Sequence, residues 1–187
     1  MKKLNKQVFV ITGVVILLAG GYYYNRNFTA KAIFQNVIGL DGYSLTLVKE
    51  QVPFECFVKP EWIAFKPDEK KDLTLSMQNN NQTHISLAQV INRGHDIYFN
   101  FHTTFDLDYR NGAFLYNAIF HEDGTASSPT GAIRVFEPDG TVIPVGQQGS
   151  GPGADFGFGI DQEHLDQLKN GIVIQYDGYV LYHYAKD

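Results

Sequence analysis

Between Ile97 and Tyr109 the chain alternates at every position. Ile97, Phe99, Phe101, Thr103, Phe105, Leu107 and Tyr109 fall on one side of an extended backbone. Tyr98, Asn100, His102, Thr104, Asp106 and Asp108 fall on the other. Successive side chains of a strand point to opposite faces, so this run predicts a strand with one buried and one wet side. A half-buried strand needs neighbours, and the rest of the sequence supplies turns to make them. Asp-Gly pairs stand in Leu40-Asp41-Gly42, Glu122-Asp123-Gly124, Pro138-Asp139-Gly140 and Tyr176-Asp177-Gly178, and Asn-Gly pairs at Asn111-Gly112 and Asn170-Gly171. These residues accept the positive φ of tight hairpins.

Three hairpins are expected from this punctuation. Arg110-Asn111-Gly112 turns the long strand back into Ala113 to His121, which is apolar on both faces as a central strand would be. Ile133 to Glu137 returns through Thr141 to Val145, and Ile172 to Tyr176 pairs with Tyr179 to Tyr184 across Asp177-Gly178. Residues 43 to 49, 54 to 58 and 73 to 77 suit further strands. Ser86 to Arg93 fits a short helix or a strand. One helix is expected after Asp161, which can cap it; Ile160 can pack on Leu165, and Gly171 ends it. The predicted class is all-β and mainly antiparallel: an immunoglobulin-like β-sandwich with one short crossover helix, preceded by a single N-terminal hydrophobic helix. The likeness is one of layout, since the Cys…Trp…Cys spacing of antibody-type domains is absent from a chain with one cysteine.

The N-terminal helix divides the chain. Residues 1–7 carry Lys2, Lys3 and Lys6 and read as a cytoplasmic basic segment. Residues 8–24 read as a signal anchor or signal peptide, about 25 Å long as a helix at ~1.5 Å per residue. Tyr22, Tyr23 and Tyr24 match the aromatic belt of a bilayer edge. Residues 25–36 read as a spacer and 37–187 as an extracytoplasmic domain. The lysines predict an inside N-terminus and a single-pass chain in the cell membrane. The alternative is secretion after cleavage near Ala32, where Ala30-Lys31-Ala32 has the small-x-small form.

Charge limits the partners. The net charge is −5, from 15 basic and 20 acidic residues, with three lysines in the first six positions. No basic stripe exists, so nucleic acid is not expected as a partner. The bilayer is expected as one through residues 8–24, with an envelope protein or cell-wall polymer as another. Cys56 reads as a small apolar core residue, and an exported chain with one cysteine fits a bacterium.

Four clusters are candidate sites. His102, Asp106 and Asp108 share the wet face of the long strand, and imidazole with carboxylates can bind a divalent metal. His121-Glu122-Asp123 at a turn can add to a cation site. Asp155 is the only charge in the glycine-rich stretch Gly146 to Gly159, which is expected as a loop docking a ligand or partner. It lacks the Lys-Ser/Thr ending of a phosphate loop and the Gly-x-Ser-x-Gly of a hydrolase elbow. Tyr176, Tyr179, Tyr182 and Tyr184 can form a stacking platform for sugars or peptides. No cofactor motif and no catalytic constellation is present, so the expected function is a non-enzymatic, membrane-tethered binding or interaction domain. The alternatives are a metal-dependent hydrolase using His102, Asp106 and Asp108, and a secreted structural or inhibitory module.

Overall fold

The computed structural model describes residues 2–187 except Glu122 and Thr130, and no side chain of residues 2–9 or of Pro152. The turn expected at Glu122 and the cation site including it therefore lie partly outside the described residues. Two helices come first: α1 (Lys2–Asn27) and α2 (Ala30–Ile38). Strands follow as β1 (Tyr43–Val58), β2 (Lys70–Asn80), β3 (Thr83–Asn92), β4 (Asp96–Phe105), β5 (Asn111–Tyr116) and β6 (Ile119–Phe120). The second half holds β7 (Ala126–Ser127), β8 (Ile133–Phe136), β9 (Val142–Ile143), β10 (Gln148–Ser150), β11 (Phe156–Asp161) and β12 (Ile172–Lys186).

The strands form two five-stranded antiparallel sheets and a small ribbon of β6 with β7. The first sheet runs β1-β12-β8-β9, with β5 also paired to β12. The second runs β10-β11-β4-β3-β2. The sheets face each other across one core. Phe54, Val58, Ile174 and Tyr176 come from the first, and Leu87, Phe99, Phe101, Phe156 and Phe158 from the second. This is a β-sandwich, as the turn pattern and the alternation predict. The long strand behaves as expected to Phe105: Phe99 and Phe101 are fully buried while Asn100, His102 and Thr104 are exposed.

A second apolar cluster lies beside the sandwich. α2 packs Ile33 and Val37 against Tyr43, Leu107, Phe114, Tyr182 and Tyr184. Thr29 caps α2 by accepting from the Ala32 N–H at 3.3 Å. Residues 30–36 of the stretch 25–36, expected as a spacer, thus belong to a docked helix that runs on to Ile38. The helix repeats apolar residues at Ile33, Phe34, Val37 and Ile38, a 3.6-residue stripe.

Several expectations are corrected. The chain does not turn at Asp177-Gly178: β12 runs straight through it for 15 residues. Gly178 is there because the Tyr176 ring occupies the place of a Cβ, and its φ is not positive. The expected β4–β5 hairpin does not exist either. β4 belongs to the second sheet, whereas β5 pairs with β12 through contacts such as Phe114 opposite Tyr182. β5 is buried on both faces, with Leu115 in the main core and Phe114 in the second cluster. The two strands expected at 43–49 and 54–58 are one, β1, kinked by register shifts between Leu47 and Phe54. Ser86 to Arg93 falls in strand β3 up to Asn92. The predicted crossover helix is a 3-10 helix, Gln162–Asn170, and Asp161 makes no capping bond from its side chain. The second expected hairpin stands: β8 pairs with β9 around Gly140, whose φ is +91°.

Candidate functional site

The glycine-rich stretch is where structure and sequence differ most. Instead of one loop it contains β10 and all but the end of β11. In Phe156-Gly157-Phe158-Gly159-Ile160 the large residues enter the core, and the glycines lie on the other face of the strand, buried under Tyr98 and Asp96. The glycines are needed because a Cβ on Gly157 would meet the Tyr98 hydroxyl at 2.6 Å and the Phe99 carbonyl at 2.8 Å. A Cβ on Gly159 would strike the Asp96 carboxylate. Asp96 is buried and is held by Arg93, whose guanidinium also lies 4.3 Å from the Tyr98 ring centroid.

Asp155 sits where β11 begins, and it joins two residues of β4. Its Oδ1 accepts from the Thr103 N–H at 2.8 Å. Its Oδ2 lies 3.0 Å from His102 Nδ1. The backbone has turned aside at Ala154, with φ at +66°, so the carboxylate takes the N–H that a longer β11 would have bonded. Thr103 Oγ1 donates to the Ala154 carbonyl at 2.9 Å and lies 3.0 Å from the Tyr179 hydroxyl. The Asn117 amide donates to the Asp155 carbonyl at 3.1 Å. Tyr179 is fully buried, and burial pushes its phenol far up, against the Thr103 hydrogen bond that lowers it.

His102 is the exposed end of this group, with its side chain 54% accessible and Asp155 behind it at 27%. A carboxylate on Nδ1 fixes the ring and leaves Nε2 toward solvent, where it can accept a proton or a hydrogen bond. Ser86, opposite His102 on β3, donates its hydroxyl to the His102 carbonyl at 3.2 Å.

The structure therefore joins His102 to Asp155, two residues that the sequence placed in different sites. Asp106 and Asp108 lie beyond the end of β4. The Asp108 carboxylate accepts from the Gln82 amide at 2.7 Å, and the Asp106 N–H donates to the Gln82 carbonyl at 3.0 Å. Among the described residues no group of three or more His, Cys, Asp or Glu is placed to hold a metal ion. The tyrosines are not a surface platform. Tyr176, Tyr179, Tyr182 and Tyr184 are 7%, 0%, 2% and 3% exposed, and they pack inward. Tyr176 stacks on Phe156 at 4.4 Å between centroids, and Tyr182 stacks on Phe114 at 5.6 Å.

No family model, no curated protein and no solved structure matches this chain. Function has to be argued from its own surfaces.

The other unsatisfied surface is α1. Val10, Ile11, Val14, Val15, Ile16, Leu17 and Leu18 are each at least half exposed, around the whole helix. A helix that is apolar all round belongs in an apolar medium. Among the described residues no helix is long and apolar enough to cross a membrane. The apolar run expected from Val8 begins outside the described side chains. Just past the other end of α1, Phe28 meets the domain. Phe28 stacks on Tyr109 at 4.5 Å, and Lys186 lies between the Tyr109 and Tyr43 rings at 4.7 and 4.5 Å.

Proposed function

We propose that this chain is a membrane-tethered, non-enzymatic binding domain: an immunoglobulin-like sandwich held outside the cytoplasm by residues 8–24. One observation carries the proposal, the ring of uncovered aliphatic side chains from Val10 to Leu18 on α1. Burying them in lipid is favourable at roughly 25 cal/mol per Å² of apolar surface. Lys2, Lys3 and Lys6 stand at one end of this run and Tyr22 to Tyr24 at the other, an arrangement that favours the lysine end inside the cell. The acidic remainder favours a domain lifted off anionic lipid. The partner would be an envelope protein or cell-wall polymer meeting the exposed polar row of Asn100, His102 and Thr104. In cells producing the full chain, the protein should stay with membranes after alkaline carbonate washing, and protease added outside should digest the sandwich. Recovery of the folded chain in the soluble fraction would overturn the proposal.

A second reading rests on the His102–Asp155 pair. An imidazole oriented by a carboxylate, with its far nitrogen open, is the geometry of a general base. Under this reading the purified protein hydrolyses a member of an ester, amide and phosphoester panel, and His102→Ala abolishes turnover. Bound metal lost on Asp106→Ala would instead restore the His102, Asp106 and Asp108 site.

A further inference from the structure

An apolar groove of ≈ 390 Å³ opens beside the second cluster. Ile38, the last residue of α2, and Leu40, just past it, form one wall. Leu45 and Leu47 of β1, Phe120 and the buried Tyr182 also line it. Leu40 is 57% exposed and sits at φ +55°, a conformation that leucine rarely adopts. That backbone turn leaves its side chain at the mouth of the groove. The size falls in the range of small-molecule sites.

Three polar side chains at the groove already have partners within the protein. The Tyr182 hydroxyl accepts from the Phe120 N–H at 2.9 Å and donates to the Ala118 carbonyl at 3.2 Å. His121 Nε2 lies 2.9 Å from Ser127 Oγ, and the Thr125 hydroxyl donates to Asp123 at 2.6 Å. Among the described residues that line it there is no carboxylate, ammonium or guanidinium. The remaining recognition is apolar contact, which suits a hydrocarbon tail.

The groove is also beside α1. The Asn36 amide donates to the Arg26 carbonyl at 3.4 Å, so the last turn of α2 lies against the last turn of α1. Ile38 and Leu40 follow within one helical turn. With residues 8–24 in the bilayer, the mouth opens near the headgroup zone, where lipid tails are the most abundant apolar partner. We infer that this groove takes up an acyl chain of a bilayer lipid. The inference rests on the membrane reading of α1 and adds a lipid site on the domain itself.

The test uses the full chain in phosphatidylcholine vesicles containing a phosphatidylcholine with a diazirine on its acyl chain. After irradiation, adducts are mapped by peptide mass spectrometry. Adducts are expected in residues 8–24 and also at residues 38–47 and Phe120. Leu47→Glu places a charge against the tail, and groove adducts should fall at least about tenfold while those in 8–24 persist. The exposed Leu40→Asn variant keeps a residue tolerant of positive φ and should also lower groove labelling, which covers a folding failure of the first variant. Labelling of 8–24 with an empty groove, or groove labelling unchanged in both variants, overturns this inference and leaves the membrane reading standing. No labelling anywhere overturns both.

Discussion

Titration of the protein upward from pH 8 tests how the core is built. Tyr176 is 7% exposed, stacked on Phe156 and covered by Gly178. Burial pushes its phenol from 10.0 up to about 12, against a hydrogen bond with Asn117 that lowers it. In the unfolded chain the same phenol ionises near pH 10. The folded value is the higher one, so the stabilisation is whole below about pH 10 and is lost as pH rises through about 12. A shift of about two units corresponds to roughly 2.7 kcal/mol when fully lost, and linkage places about 1.4 kcal/mol of the loss by pH 11. Urea unfolding of the wild type and Tyr176→Phe at pH 8 and pH 11 measures this. At pH 8 the variant should lie within about 1 kcal/mol of the wild type, the worth of one hydrogen bond. Between the two pH values the wild type should lose about 1.4 kcal/mol more than the variant. Equal losses would refute the claim that this buried phenol contributes to alkaline stability.

Further outcomes follow from the same core. Burial, with the Glu55 charge adding to it, pushes the Cys56 thiol up to about 12, so a thiol reagent at pH 8 should react with Cys56 only as fast as the native protein unfolds. Thr103→Val removes one partner from each of the Ala154 carbonyl and the Tyr179 hydroxyl, which keep only their own 3.4 Å contact, and urea unfolding should show a loss of about 1–3 kcal/mol. Gly178→Ala drives a methyl into the Tyr176 ring at a backbone angle that alanine otherwise tolerates, and the melting midpoint should fall by the equivalent of about 1–3 kcal/mol.

The alternation from Ile97 to Phe105 was legible because one face of β4 is buried and the other is wet, which writes period two into the sequence. The turn at Pro138-Asp139-Gly140 was legible because Gly140 takes a positive φ. Asp177-Gly178 misled because glycine serves two purposes: there it gives way to a ring inside a continuous strand. The pairing of β5 with β12 was not legible, since a strand apolar on both faces does not state which sheet it joins. The Gly-Phe alternation of Phe156 to Gly159 carried the same period-two signal as β4, masked by the glycine count. His102 and Asp155 were each legible as candidates, but their contact was not. They are 53 residues apart, and only the register of β4 against β11 brings them together. The tyrosines of β12 looked like a surface platform because phenols suit surfaces, whereas here Thr103, Gln82 and main-chain groups satisfy their hydroxyls inside.

The proposed role of α1 is to hold a folded sandwich on a bilayer. Flotation of the purified full chain with phosphatidylcholine vesicles on a density gradient tests it most directly, with Leu17→Asp as the comparison. The account predicts that the wild type rises with the vesicles and that the variant, with a charge on the apolar run, stays at the bottom with its sandwich intact by circular dichroism. A folded wild-type chain that remains at the bottom beside the variant would contradict it.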